Sequence, residues 1–367
     1  MRADTRYVRD KLDWMRAEGI WPNGLRYLWT DAFAVCNFLG IARATGEEQY
    51  IELALRLVDK VHHTLAKHRP DDPRTGWISG LGEKQGESHP TRGGLRIGKK
   101  FPERSAGEPF DEQLEWDRDG QYFHYLTKCM HALDQVSRCT KEPRFNLWAR
   151  ELAEAAYKAF SYQPRRAGPP RLVWKMSIDL SRSLVPLMGQ HDALDGFVTC
   201  VQLQTTATML ASGLDGPSLE EEAAGFTSIL ESGIRATGDP LGIGGLLIDA
   251  SHLERHADLR RRVLVAAVEG LRSYAQQDDL LLPASSRLAF RELGLAIGLH
   301  AIENQPRPVL QGLESHLSLG SWIESFWLDP THQESRTWSE HCDINEVMLA
   351  TSLIGIDPAI IKVIGRT

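Results

Sequence analysis

The residues best suited to chemistry cluster in "LEWDRDGQYFHYLTK" at 114–128. This segment sets Glu115, Asp117 and Asp119 around Trp116, followed by His124 and Tyr125. Carboxyl groups that give or take protons, beside indole faces, suit a ligand with hydroxyl edges and apolar ring faces. A second segment, at 174–196, carries Trp174, Lys175, Asp179, Arg182, Gln190, His191, Asp192 and Asp195. Asp192 and Asp195 are three apart, so a helix would place them on one face. A third, at 322–346, interleaves three tryptophans with Glu324, His332, Glu334, Arg336, Glu340, His341, Asp343 and Glu346; Trp338 stands just ahead of Glu340 and His341. Arg26, Trp29 and Asp31 form a smaller group.

Several other chemistries are excluded. His252 and His256 are four apart in "HLERH", but no third ligand and no H-E-x-x-H accompany them, so no metal is expected. There is no G-x-S-x-G elbow, no phosphate loop and no G-x-G-x-x-G after a strand; no cofactor is expected. The adjacency of His341 and Cys342 does not make a catalytic dyad. The five cysteines (Cys36, Cys129, Cys139, Cys200 and Cys342) form no C-x-x-C pair and read as reduced thiols. A net charge of −7 without a basic stripe argues against a nucleic-acid partner. No apolar run is long enough to span a membrane, and residues 1–6 show no apolar leader; a cytoplasmic protein is expected. At 367 residues, 42% hydrophobic and 25% charged, the chain has ordinary globular composition.

These residues need elements to position them, and the dominant pattern is helical. Apolar residues recur at three- and four-residue spacing over 24–45 and 47–67. Further helices are predicted near 4–18, 120–141, 143–161, 193–213, 217–236, 257–278, 285–302 and 343–356. The best strand candidate is 171–177. Gly24, Asp119, Asp192, Asp239, Ser285 and Asp343 mark helix starts, with gaps of 95, 73, 47, 46 and 58 residues. A hairpin of two helices with its turns needs roughly 45 residues. A weak repeat at an offset of 95 matches Trp21 with Trp116, Tyr27 with Tyr122, Arg43 with Arg138 and Thr45 with Thr140. Repeated hairpins bury a core only by stacking on neighbours. Six starts predict an all-α toroid of six hairpins in one domain over 1–367, with insertions about 69–115, 162–190 and 303–340. The helix at 4–18 would be the outer partner of the last inner helix. Six inner N-termini would gather at one mouth and favour polar or anionic ligands. The Gly-, Pro- and charge-rich loop at 69–111 reads as a solvated insertion, a lid or a partner-binding arm.

This rhythm, with "GLRYLW…ARATGEEQYIELALRLVDKV", "DPRTGWISG" and "EWDRDGQYFHYLTKCMHAL", resembles the six-hairpin (α/α)6-barrel carbohydrate enzymes. These include glycoside hydrolases and the N-acylglucosamine 2-epimerase group. The Asp-Asp pair of some of these hydrolases is missing here. The resemblance implies a saccharide or sugar-derived ligand. The leading expectation is a glycoside hydrolase, with Asp119 and Asp192 as acid and base and Glu340 in reserve. His124 and His341 would orient or relay protons. Trp116, Trp174 and Trp338 would stack on sugar rings, with Arg26, Trp29, Asp117, Tyr125, Lys175, His191 and Asp195 lining the site. A sugar isomerase or 2-epimerase would instead use His124, His191 or His341 as acid and base. A non-catalytic saccharide- or protein-binding toroid would present an aromatic groove without an ionisable pair.

Overall fold

A computed structural model describes residues 5–21, 25–164, 170–187, 189–210, 216–303, 305–306, 309 and 311–354. The expected helix start at Gly24 lies outside them. The long helices are α1 (Thr5–Ala17), α2 (Leu28–Thr45), α3 (Gln49–Leu65), α4 (Phe123–Thr140), α5 (Pro143–Phe160), α6 (Asp192–Met209) and α7 (Glu220–Leu230). They continue with α8 (Pro240–His252), α9 (Ala257–Gln276), α10 (Ala289–Glu303), α11 (Ser318–Leu328) and α12 (Cys342–Ile354). The chain divides into two compact units. One is Met15–Leu39 with Glu48–Ser232; the other is Met1–Trp14, Gly40–Glu47 and Gly233–Thr367.

In the first unit, α3 buries Tyr50, Leu53, Ala54, Leu57, Val58, Val61, His62 and Leu65, which is one face of an amphipathic helix. Asn146 on α5 donates to Asp134 of α4 at 3.3 Å and to the Leu203 carbonyl of α6 at 2.9 Å. Phe123 packs edge-on against Phe160 and Phe226, joining α4 to α5 and α7. Among the described residues, five short strands lie between the helices: β1 (Gln121–Tyr122), β2 (Ser161–Tyr162), β3 (Arg171–Leu172), β4 (Lys175–Met176) and β5 (Ser183–Val185). β1 pairs antiparallel with β4 and β4 with β5, while β2 pairs with β3. The strand expected at 171–177 is therefore two strands in two sheets.

In the second unit, α10 is buried on nearly all sides, from Ala289 through Ile302. It meets α8 backbone to backbone: a Cβ on Gly244 would stand 2.1 Å from the Gly294 carbonyl oxygen, and one on Gly298 would stand 2.5 Å from that of Gly244. Asp239 caps α8 by accepting from Gly242 N at 3.1 Å, with Pro240 in the first turn. Lys11 of α1 bonds Glu346 of α12 at 3.0 Å. Arg287 holds Glu292 through two bonds of 2.8 and 2.6 Å, and Trp327 donates to the same carboxylate at 2.8 Å.

Candidate functional site

Two of the segments singled out above meet in the first unit. The β1–β4 pairing sets Tyr122 opposite Lys175. That register brings Trp174 beside the start of α4, where the His124 imidazole lies parallel to the Trp174 indole, 5.9 Å between centroids and 11° between planes. Tyr122, Tyr125 and Trp29 pack around the same imidazole at 5.3, 4.8 and 6.3 Å. Trp116, half exposed, meets Trp174 edge to face at 5.0 Å. Two buried polar atoms in this cluster, His124 Nδ1 and Trp29 Nε1, have no hydrogen-bond partner in the protein.

The strand at 121–122 starts α4 at Phe123, three residues later than the sequence suggests, so His124 is in the first turn. Burial is the chief cause that pulls its imidazole down to about 3; Lys128 adds to this and Asp195 opposes it. His124 is therefore neutral at ordinary pH. Tyr125 is held well above the usual phenol range by burial and by Tyr27, whose hydroxyl is 2.5 Å from its own.

The first turn of α6 supplies two carboxyl groups of different character. Asp195 accepts from Thr127 Oγ1 at 2.6 Å and from Lys128 Nζ at 2.9 Å. Asp192 is buried, and its Oδ2 has no hydrogen-bond partner. Burial first, then the charge of Asp195, pushes Asp192 up to about 7. Two nearby carboxyls in unlike surroundings, one buried with an unpaired oxygen and one bonded by a hydroxyl and an ammonium, are the arrangement from which acid and base roles arise. His191 is the residue before α6, and its side chain does not cap the helix.

Other expected residues have different surroundings. Asp119 is fully buried, and both oxygens are taken. Oδ2 accepts from Arg96 at 2.9 Å and Arg69 at 3.2 Å, and Oδ1 from the backbone of Gly98 and Gly120. It fastens the 69–111 loop to the approach of α4 and caps no helix. Lys175 is fully buried and donates to Glu115 Oε1 at 3.0 Å and to the Glu115 and Arg118 carbonyls at 2.7 and 2.9 Å. Glu115 also accepts from Arg104 at 3.0 Å. This buried pair anchors the backbone next to both Trp116 and Trp174. Asp117 is exposed, and its carbonyl pairs with Phe101 N. Arg26 is buried, donating to Asp31 at 3.2 Å. Asp31 also accepts from Trp21, and burial raises it to about 7.

The third segment lies in the other unit. Glu340 is exposed and paired with Arg336 at 2.6 Å. His341 is exposed and meets Phe290 edge-on at 5.7 Å. Trp338 is buried and stacked on Trp327 at 5.6 Å. Tyr27, Tyr122, Thr127 and Lys128 belong to the His124 cluster and are not among the residues picked from sequence. Two signals pointed at them: Tyr27 and Tyr122 match in the internal repeat, and Lys128 follows His124 by one helical turn.

All five cysteines are free. Among the described residues there is no group of three or more metal-ligating side chains, and no helix is long and apolar enough to cross a membrane.

No family model matches the chain, and no curated protein matches it in sequence. Solved structures do. One is cellobiose 2-epimerase from Spirochaeta thermophila DSM 6192, 13% identical with a TM-score of 0.50, covering 98% of each chain. Another is a sugar epimerase from a ruminal bacterium, 9% identical with a TM-score of 0.54, covering 96% of this chain and 99% of that one. A third is a family 76 glycoside hydrolase from a bovine Bacteroides thetaiotaomicron strain, 10% identical with a TM-score of 0.53, covering 95% and 76%. All three are six-hairpin (α/α)6-barrel enzymes, and the likeness shows that this chain has their all-α fold.

Proposed function

We propose that the chain is a carbohydrate-active enzyme that binds a sugar over the His124 cluster. The observation that carries this reading is the pairing of aromatic faces with unpaired buried polar atoms. Trp174 and the half-exposed Trp116 offer ring faces, while His124 Nδ1 and Trp29 Nε1 each lack a partner. An unpaired buried polar atom costs about 1–3 kcal/mol. A pyranose supplies what both need: apolar C–H faces for the rings and hydroxyls for the nitrogens. The fold shared with two epimerases and a glycoside hydrolase agrees with a sugar ligand.

For the reaction, we favour an isomerase or 2-epimerase. Hydrolysis needs two carboxyls facing each other across the glycosidic bond. Asp119, the expected partner of Asp192, has every strong acceptor position engaged by the protein. Proton movement beside a sugar carbonyl needs a group poised near neutrality, and Asp192 at about 7 fits that task. The neutral His124 would hold and polarise the sugar oxygen. A hydrolase reading rests on one specific observation, the unlike pair Asp192 and Asp195 on one turn of α6. Incubation with reducing mono- and disaccharides in D2O, followed by proton NMR, separates the two. Deuterium at C2 with a new epimer supports the first reading, and loss of the glycosidic linkage supports the second. Neither change, with sugar bound, would leave a binding protein.

A further inference from the structure

A second cleft lies in the first unit and shares no residue with the His124 cluster. It runs between α3 and α5 under the loop that holds Trp77 and Pro90, and its volume is about 100 Å³. A cavity of about 150 Å³ takes up benzene whole; this smaller cleft takes a ring only in part, with the remainder standing at its open rim.

Its floor is aromatic, and the Arg144 guanidinium reaches over the Phe145 and Trp148 rings at 4.7 and 5.8 Å. Phe145 meets Trp148 edge-on at 5.2 Å, and His62 meets Trp148 edge-on at 5.0 Å. Trp148 is partly exposed, and its Nε1 donates to the Ser88 carbonyl at 2.9 Å, which fixes the indole plane. His62 is 3% exposed and its Nε2 has no hydrogen-bond partner. Burial, more than the neighbouring His63, holds it down to about 3, so it is neutral.

The rim is polar and close to balanced in charge. His63 donates to Glu87 at 2.8 Å and lies 3.3 Å from Asp59, while Arg144 pairs with Glu142 at 2.8 Å. Each of Glu87, Asp59 and Arg144 keeps further acceptor or donor positions. A charged ligand would meet both signs at this rim. A plain aromatic ring would satisfy the floor but none of the rim. A neutral polyhydroxylated ring satisfies both, with its C–H face on Trp148 and its hydroxyls toward Glu87, Arg144 and His62.

We propose that this cleft is a second saccharide site, taking one sugar residue at its mouth, with Trp148 as its platform and His62 closing its floor. The inference does not depend on the His124 reading. The test is isothermal titration of the full chain with glucose, galactose, mannose and N-acetylglucosamine, and with phenol as the aromatic probe. Both wild type and His124→Ala are titrated, then each with His62→Leu or Trp148→Phe added. The expected result is monosaccharide binding that survives His124→Ala and weakens at least fivefold on adding His62→Leu or Trp148→Phe. Unchanged melting temperatures would show that these variants fold. No monosaccharide binding in the His124→Ala protein, binding indifferent to His62→Leu, or binding of phenol alone would each overturn the proposal. Loss of turnover at the His124 cluster would leave this binding in place, so the two readings fail separately.

Discussion

His124 and Trp174 are 50 residues apart in the chain, yet their rings lie parallel at 5.9 Å, within 11° of coplanar directions. Neither is placed by its own helix or loop alone. The β1–β4 pairing carries Trp174 to the first turn of α4. Trp174→Ala should weaken sugar binding by roughly 0.5–1.5 kcal/mol beyond lost area, about two- to tenfold in affinity. Titration with the active sugar measures this. Equal affinity in Trp174→Ala would remove the indole from the site.

The carboxyls Asp119 and Asp192 should respond differently to the same amide substitution. Asp119→Asn strips the charge that two arginines share in a buried site, and is expected to cost about 3–5 kcal/mol of stability. Asp192→Asn removes no ion pair and should leave melting near wild type below about pH 4 while abolishing turnover. Denaturant unfolding together with an activity assay reads both. A stable, inactive Asp119→Asn would return Asp119 to the catalytic role.

Asp192 also predicts a pH dependence. Its folded pKa, about 7, lies above the ordinary 3.8. A raised carboxyl contributes its full stability below the ordinary value and loses it as pH rises through the folded value. Wild type should therefore lose stability relative to Asp192→Asn between about pH 4 and about pH 7, and the activity profile should show a limb near 7. A stability difference that stays flat with pH would show that Asp192 does not titrate there.

Lys175 and Glu115 form a fully buried pair next to Trp174 and Trp116. Lys175→Met alone leaves Glu115 with only Arg104 as its ionic partner, and should be strongly destabilising. Lys175→Met with Glu115→Leu removes both buried charges and should recover much of that stability. If the pair positions the tryptophans, the double variant should raise KM with little change in kcat and alter the near-ultraviolet circular dichroism of the indoles. Unchanged spectra and KM would confine the pair to stability.

Gly244 and Gly298 test the packing of α8 against α10. A Cβ at either would fall within 2.5 Å of a backbone carbonyl carbon or oxygen on the facing helix. Gly298→Val should therefore lower the melting temperature by many degrees or prevent folding, whereas Gly245→Ala, with nothing within 4 Å, should be tolerated.

Much of the fold was legible in the sequence because helix periodicity is local. The apolar spacing located most of the long helices, and Asp239–Pro240 marked a true cap for α8; α11, Ser318–Leu328, fell inside the expected insertion at 303–340. The internal repeat matched Tyr27 with Tyr122, and both side chains do converge on Tyr125. Its tryptophan pair parts company. Trp21 is buried and bonded to Asp31, while Trp116 is half exposed.

Sequence alone determined the all-α hairpin rhythm, the absence of common cofactor motifs and the segments where polar and aromatic residues concentrate. Only tertiary structure decided which of those residues face a ligand and which hold the chain together. Asp119 and Asp192 look alike as residue types after polar loops. One is saturated by arginines arriving from 23 and 50 residues away, and the other is left with an unpaired oxygen. The physical reason is that a carboxyl group's chemistry depends on its partners and its burial, and both are set by contacts between residues far apart in the chain.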